Sequence, residues 1–340
     1  MRLFLLIAAL LAFVARAPGA DSYSANPGPY GVATLDATWH DAKRDRDVPV
    51  RIYYPKPLGL AAKPTCPVII FSHGLGGSRE GYAYLGEHWA SCGYVSVHVQ
   101  HHGSDREILH SLRPLKALRA AATDPAVATN RPLDISFAID RLTVLNGDRS
   151  FPLHGRLDLA RLGVAGHSYG AFTTMALAGA RIPALGPEPR YRDPRIKAAI
   201  AMSTPTTQGN DTDAAFDGVS IPVFHMTGTK DELPGERRST DTAPIVGNTK
   251  AAERLRPYQH TCHAPADLLV FKDGDHMVFS GRLTGSRPAD KAFQDRVLAS
   301  STAFWDAWLR DDPSARRWLE DGAFAAVLGA LGTFEHKPGT

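Results

Sequence analysis

Cysteine, excess charge and long apolar runs are all scarce in this sequence. Its 340 residues include three cysteines, Cys66, Cys92 and Cys262. They are widely separated and lack the C-x-x-C spacing of structural zinc sites. They allow at most one internal disulfide and leave one thiol over, and the spacing does not say which two would pair.

The net charge is small, at +3. No block of Lys and Arg resembles a basic arm, so the sequence predicts no nucleic-acid partner. We find no internal repeat and no linker that would require a second domain, so residues 21–340 are expected to form a single domain. Beyond the N-terminus, no run reaches the roughly 18 apolar residues that a membrane-spanning helix needs.

The first residues read "MRLFLLIAALLAFVARAPGADSYS". Arg2 precedes an apolar run from Leu3 to Val14, and small residues follow as far as Ala17 or Ala20. This pattern predicts a secretory signal peptide over residues 1–20, with a retained membrane anchor as the alternative. We therefore expect the mature protein to be secreted or periplasmic.

Strand and helix patterns alternate along the rest of the chain. "GVATLDATWHD" and "DVPVRIYYP" alternate apolar with polar residues, as in an antiparallel hairpin. Later runs such as "CPVIIFSHG" and "RLGVAGHS" are nearly continuous in apolar residues, as in strands buried on both faces. Helical patterns lie between them, so the sequence predicts an α/β fold: a mostly parallel sheet, an antiparallel N-terminal edge hairpin and helices on both faces. Three polar, proline-containing stretches read as loops over the site, at 103–132, 182–195 and 232–264.

A serine lies between two glycines in "RLGVAGHSYGAF". Gly166 and Gly170 bracket Ser168 in the pattern G-x-S-x-G, after a predicted strand and before a predicted helix. In that context the pentapeptide forms a sharp, strained turn that exposes a nucleophilic serine over a helix N-terminus. An ordinary turn or cap serine is the alternative.

A serine hydroxyl needs a base, and the base needs an orienting acid. His276 follows the strand pattern "DLLVFKDGDHM", and Asp231 follows "IPVFHMTGT". The chain order serine, acid, histidine is that of α/β-hydrolases. The sequence thus predicts Ser168, Asp231 and His276 as a catalytic triad, with other carboxylates as replacements for the acid: Glu232, Asp211, Asp213 and Asp275.

An acyl-transfer site also needs N–H donors for the oxyanion. We expect one from Tyr169, which follows the serine, and one from Leu75 in the glycine-rich turn "HGLGG". That turn lacks the lysine and the spacing of phosphate-binding loops. Met202 and Met277, next to catalytic positions, are the predicted apolar walls for substrate.

These motifs together resemble the α/β-hydrolase superfamily. Within it, "YYP", "PVIIFSHGLGG", "GYVSVHVQHHGSD", "RLGVAGHSYGA", "HMTGTKDE" and "GDH" are similar to bacterial esterases of the dienelactone-hydrolase-like and platelet-activating-factor-acetylhydrolase-like kind. The resemblance implies Ser168 as nucleophile, His276 as base, and Leu75 and Tyr169 as oxyanion donors. The sequence departs from these families in two ways. Dienelactone hydrolases use cysteine where Ser168 stands, and the position of the acid in acetylhydrolases falls on "AMS", which has no carboxylate. Asp231 instead resembles the acid of bacterial lipases and polyester-degrading cutinases.

The expected activity is hydrolysis of carboxylic esters with short to medium acyl chains, without a metal or organic cofactor. Phospholipid acetyl esters and polyesters are alternative substrates. Two other classes of protein stay open. A metallohydrolase could use His98, His101 and His102 in "HVQHHGSD", and a secreted binding protein could have a catalytically silent hydrolase fold.

Overall fold

The computed structural model describes residues 23–56, 65–182, 191–206, 214–232, 250–281 and 288–340. In these ranges the chain forms strands β1 (Val32–Asp41), β2 (Arg46–Pro55), β3 (Cys66–Ser72), β4 (Val95–Val99), β5 (Leu157–His167), β6 (Ile196–Met202), β7 (Val223–Lys230), β8 (Ala266–Asp275) and β9 (Gly332–Lys337). The helices are α1 (Ala83–Ser91), α2 (Pro114–Thr123), α3 (Pro125–Gly147), α4 (Tyr169–Ala178), α5 (Arg256–His260), α6 (Pro288–Leu309), α7 (Pro313–Glu320) and α8 (Ala323–Leu328).

The strands form one sheet in the order β1-β2-β4-β3-β5-β6-β7-β8-β9. The six strands from β4 to β8 in that order pair in parallel, and the β1–β2 hairpin pairs antiparallel with β4 at one edge. The predicted α/β architecture with its N-terminal edge hairpin is confirmed. The sequence did not predict β9, which pairs antiparallel with β8 at the other edge.

Apolar residues cover both faces of the parallel strands. Every residue of β3 and β4 is buried, as their continuous apolar runs predict. On one face, α6 packs Phe293, Val297 and Phe304 into the core at helical spacing. On the other face, α3 and α4 cover a second cluster that includes Ile139 and Met175. The sheet is therefore held between two helical layers, which fix the carboxyl ends of its parallel strands.

The loop prediction for 103–132 was wrong. A 3₁₀ helix at Arg106–His110, then α2 and the start of α3, occupy most of this stretch. Pro114 and Pro125 each begin a helix, where their missing N–H costs nothing, and the Asp124 carboxylate accepts the N–H of Ala126. The polar composition that suggested a loop reflects exposure to solvent instead.

The other two predicted loops are only partly described. Within 232–264, Ala251–Leu255 is a 3₁₀ helix that leads into α5, so this part is helical as well. Most of 182–195 lies outside the described residues, as do residues 1–20 with the predicted signal peptide.

No helix in the described ranges is long and apolar enough to cross a membrane. The three cysteines are free thiols.

Candidate active site

Ser168 lies on a strained turn between β5 and α4. Its backbone has φ 55° and ψ −118°, a conformation that L-residues rarely adopt. The two flanking glycines make the turn possible, because a Cβ on Gly170 would lie 1.8 Å from the Ser72 carbonyl oxygen, and one on Gly166 would lie 2.3 Å from that of Gly170. The Ser168 side chain is half-buried at the carboxyl edge of the sheet. The local sequence thus folds as the pentapeptide predicts.

Three side chains from three strand ends form a hydrogen-bonded chain. Ser168 Oγ lies 2.9 Å from His276 Nε2, and His276 Nδ1 lies 2.7 Å from Asp231 Oδ1. Asp231 follows β7 and His276 follows β8, and these neighbouring parallel strands deliver both residues to the edge where Ser168 lies. The structure brings together the three residues that the sequence predicted as a triad.

Asp231 is fully buried and accepts hydrogen bonds on both carboxylate oxygens. Ser203 Oγ and Thr227 Oγ1 donate to its Oδ2 over 2.6 and 2.8 Å. The Arg254 Nε lies 2.8 Å from Oδ1. Burial alone would raise the pKa of Asp231, but the hydrogen bond from His276 and the charge of Arg254 outweigh it and hold that pKa at about 2. Asp231 is therefore a fixed anion that accepts the Nδ1–H of His276.

Ser203, Thr227 and Arg254 were not predicted as site residues. Ser203 follows β6 with φ 55°, and only the tertiary fold brings it to Asp231. Arg254 lies in the stretch 232–264, whose polar composition predicts a loop. Its Nη1 also donates to the Ser203 carbonyl over 2.7 Å, so it ties two strand ends together.

The alternative acids do not reach His276 in the same way. The Glu232 side chain accepts the N–H of Ala251, and Asp275 accepts that of Met277. Asp211 and Asp213 lie outside the described residues. Among the described carboxylates, Asp231 is the one bonded to the imidazole of His276.

Burial lowers the pKa of His276 below its ordinary value of 6.5, and the hydrogen bond that His276 donates to Asp231 opposes that shift. The imidazole is therefore neutral at neutral pH. With Nδ1–H donated to Asp231, Nε2 carries the lone pair that accepts the Ser168 hydroxyl proton. This arrangement can raise the nucleophilicity of a serine.

His167 positions the backbone of His276. Its Nε2 lies 2.9 Å from the His276 carbonyl oxygen, and its Nδ1 lies 2.8 Å from the Tyr82 hydroxyl. Burial holds the pKa of His167 well below its ordinary value, so it is neutral and donates through Nε2–H while Tyr82 donates to Nδ1. In the sequence His167 is only a variable position of the pentapeptide, because its partners lie far away along the chain.

Leu75 and Tyr169, the predicted oxyanion donors, lie on two elements that meet beside Ser168. Tyr169 begins α4, and Leu75 lies in the glycine-rich turn after β3. That turn is held by Gly76 N–H, which donates to the Ser104 carbonyl over 2.8 Å, and by Gly77 N–H, which donates to that of Gly74 over 3.0 Å. No acceptor for the backbone N–H of Leu75 or Tyr169 is found among the described residues. Both groups can therefore be offered to a ligand.

Met202 and Met277, the predicted apolar walls, differ in exposure. The Met202 side chain is fully buried in the core under α6, and its carbonyl accepts the Ser168 N–H over 2.9 Å. Strand alternation turns the Met202 side chain into the core. Met202 therefore supports the turn at Ser168 and presents no surface to substrate, so its prediction as an apolar wall was wrong. Met277 is half-buried beside His276.

The three histidines of the metal hypothesis do not converge. His98 Nε2 lies 3.2 Å from Ser96 Oγ, and His101 lies between Ser72 Oγ and Asp134 at 2.9 and 3.0 Å. His102 is exposed. The described residues include no group of three or more His, Cys, Asp or Glu arranged to hold a metal ion.

Comparisons with known families agree with this geometry. Residues 56–114 match the family model of platelet-activating factor acetylhydrolase, isoform II, and residues 159–263 match that of serine hydrolase (FSH1). The first match contains Leu75, and the second contains Ser168 and Asp231. A search among curated proteins gives no match. The fold is that of an α/β-hydrolase, and the two matches support a hydrolase of the serine type.

Proposed function

We propose that this protein hydrolyses carboxylic esters through an acyl-enzyme, with Ser168 as nucleophile, His276 as general base and Asp231 as orienting acid. The observation that carries the proposal is the continuous hydrogen-bonded chain from Ser168 Oγ through His276 to the buried Asp231 carboxylate. The strained turn at Ser168 and the half-buried hydroxyl support it.

In the first half-reaction, Ser168 Oγ attacks the ester carbonyl carbon while His276 Nε2 takes the hydroxyl proton. The carbonyl oxygen becomes an oxyanion that accepts hydrogen bonds from the backbone N–H groups of Leu75 and Tyr169. The C–O bond to the alcohol then breaks, and His276 gives its proton to the leaving alkoxide. The acyl group remains on Ser168.

In the second half-reaction, water attacks the acyl-enzyme, and His276 again takes a proton. The tetrahedral species forms a second time in the same oxyanion site. The bond to Ser168 Oγ breaks, the carboxylic acid leaves, and the proton returns to the serine. Asp231 remains ionised throughout and stabilises the imidazolium that forms in each half-reaction.

The proposed substrates are esters of short to medium acyl chains. The match of 56–114 to the acetylhydrolase family supports a small acyl group, because this segment contains the predicted oxyanion turn. Phospholipid acetyl esters and polyesters are the alternatives. With p-nitrophenyl esters from acetate to palmitate, kcat/KM is expected to peak at roughly two to eight carbons, because each buried methylene contributes only about 0.8 kcal/mol and overfilling costs more.

We further propose that the mature protein is secreted or periplasmic, which rests on the N-terminal sequence pattern alone. Determining the N-terminal residue of protein recovered from the producing cells tests this proposal. Cleavage near Ala17 or Ala20 supports export. An intact Met1 in cytosolic protein contradicts it.

A fluorophosphonate probe tests the reaction class. Covalent labelling of Ser168, lost in Ser168→Ala and retained in the surface variant Ser150→Ala, is expected, with ester hydrolysis unchanged by EDTA. Hydrolysis that EDTA abolishes and zinc restores, without labelling, would favour the metallohydrolase. An intact, folded protein that neither reacts with the probe nor cleaves esters would favour the silent binding protein.

A further inference from the structure

Arg131, on α3, is fully buried directly behind the glycine-rich turn. Its Nη2 donates to the carbonyl of His73 and to Ser72 Oγ, the latter over 3.1 Å. Nη1 donates to Ser104 Oγ over 2.7 Å, and Nε donates to Thr173 Oγ1 over 3.0 Å. One guanidinium therefore joins the end of β3, the loop after β4 and helix α4.

The described part of the chain offers the charge of Arg131 no anionic partner in contact. Among the described residues its hydrogen bonds go only to hydroxyl and carbonyl oxygens. Asp134, one turn along α3, instead contacts Arg44 at 2.8 Å, Arg46 at 3.0 Å and His101 at 3.0 Å. Burial lowers the pKa of Arg131 to about 10, which still leaves it charged at neutral pH. Burying a cation without a contacting anion costs free energy of folding. In the low-dielectric interior, the electric field of that charge acts strongly on nearby groups.

Arg131 contacts the two segments that carry the predicted oxyanion donors. The guanidinium carbon lies 4.5 Å from the centroid of the Tyr169 ring. The backbone N–H of the same residue is one predicted donor. The His73 carbonyl that Arg131 binds lies two residues before Leu75, the other donor. The same carbonyl oxygen would lie 2.9 Å from a Cβ on Gly170, so the turn and the start of α4 are in close contact here.

We propose that Arg131 is a positioning residue for the oxyanion site: it fixes the glycine-rich turn against α4, and its buried charge favours the negative oxygen of the tetrahedral species. This inference rests on the proposed ester hydrolysis. It assigns to α3 a part in the chemistry, although α3 contributes no side chain to the Ser168, His276 and Asp231 chain.

The test compares Arg131→Lys, which keeps the charge, with Arg131→Gln, which removes it. Active sites are counted by fluorophosphonate titration, so kcat is given per competent site. For Arg131→Gln we expect kcat to fall roughly tenfold to hundredfold with KM nearly unchanged, somewhat less than the loss of a direct oxyanion donor. Affinity for a trifluoromethyl ketone, which forms an anionic tetrahedral adduct on serine, should fall by the same factor. Arg131→Lys should recover most of both losses.

Arg156 provides a matched control. It is also buried, and its Nη2 donates to the carbonyl of Pro55 over 2.9 Å, at the opposite end of the strands from Ser168. Arg156→Gln is expected to lower stability and leave kcat per site and ketone affinity unchanged.

Three results would overturn the proposal. The first is an Arg131→Gln enzyme with wild-type kcat per site and wild-type ketone affinity. The second is an Arg131→Lys enzyme as impaired as Arg131→Gln, since the charge would then have no effect. If Arg131→Gln does not fold, Arg131→Lys decides alone: a folded Arg131→Lys enzyme whose kcat per site and ketone affinity both fall more than tenfold is the third. A wild-type protein that neither cleaves esters nor reacts with the probe contradicts the proposed function itself.

Discussion

At the scale of single residues, each member of the site is held by a partner from another part of the chain. Asp231 is bound by Ser203, Thr227 and Arg254, and His276 is held at its carbonyl by His167. These contacts fix the carboxylate of Asp231 and the backbone of His276 before any substrate arrives. Preorganisation of this kind lets the site stabilise charge without first reorganising.

The pH dependence of kcat/KM follows from His276. Its pKa is lowered from 6.5 by burial, and the base must be neutral to accept a proton. The rate should therefore rise with pH along an acid limb whose midpoint lies below 6.5, and then level off. Asp231, with a pKa of about 2, stays ionised across this range. A midpoint well above 6.5, measured with a p-nitrophenyl ester, would contradict this assignment.

Asp231→Asn removes the acid and keeps its shape. We expect kcat to fall by roughly 10⁴, because the amide no longer holds the Nδ1–H tautomer of His276 or stabilises its cation. Steady-state kinetics per labelled site measure this loss. The control is Glu232→Gln, which changes the neighbouring carboxylate and should leave kcat within a few-fold. Equal, small effects of the two substitutions would remove Asp231 from the catalytic acid role.

At the scale of elements, the turn between β5 and α4 is the most constrained part of the site. Gly170 has no room for a methyl group, since its Cβ would lie 1.8 Å from the Ser72 oxygen. Gly147, at the end of α3, has nothing within 4 Å of the equivalent position. The two glycines therefore make a matched pair.

We expect Gly170→Ala to lower the free energy of unfolding by more than about 3 kcal/mol, because β3 and α4 must separate to admit the methyl group. Gly147→Ala should be neutral or stabilising by up to about 1 kcal/mol, as alanine favours a helix. Urea unfolding of both variants measures the difference. Similar stabilities would show that strand and helix are not in the close contact described.

Sequence reasoning was most successful where a local pattern carries the structural signal. The alternation of strands and helices, the turn at Ser168 and the positions of Asp231 and His276 after strands all follow from short motifs. It failed for 103–132, where proline and charge suggested a loop although Pro114 and Pro125 begin helices. It also missed Arg131, His167 and Arg254, because their partners come from distant segments and no local pattern reports a tertiary contact. Met202 was wrongly predicted as a substrate-binding wall because it is next in sequence to a site residue, Ser203. Its own side chain points into the core.

At the scale of the whole molecule, a large share of the histidines is buried and neutral. Seven of them have a pKa lowered chiefly by burial: His73, His88, His98, His101, His167, His225 and His276. For His88 and His101 the value is about 4, and for His98 and His225 it is about 3. In the unfolded chain these groups take up protons near pH 6.5.

A lowered folded-state pKa stabilises the fold above the unfolded pKa, and this stabilisation is lost as pH falls. We therefore expect the melting temperature to drop steeply between pH 7 and pH 5, with uptake of several protons on unfolding. His336, whose pKa is raised by Asp267, acts in the opposite sense but is a single group. His88→Gln should reduce the proton uptake by about one. A melting temperature that does not change between pH 7 and pH 5 would contradict the buried neutral histidines.

The central claim is that Ser168 carries the acyl group during turnover. The most direct measurement is peptide mass mapping after acid quench of the enzyme reacting with p-nitrophenyl acetate. We predict one acetyl group per molecule, located on the peptide that contains Ser168, together with a burst of p-nitrophenol of the same size. Steady ester hydrolysis with no burst and no acetyl group on Ser168 would contradict the account.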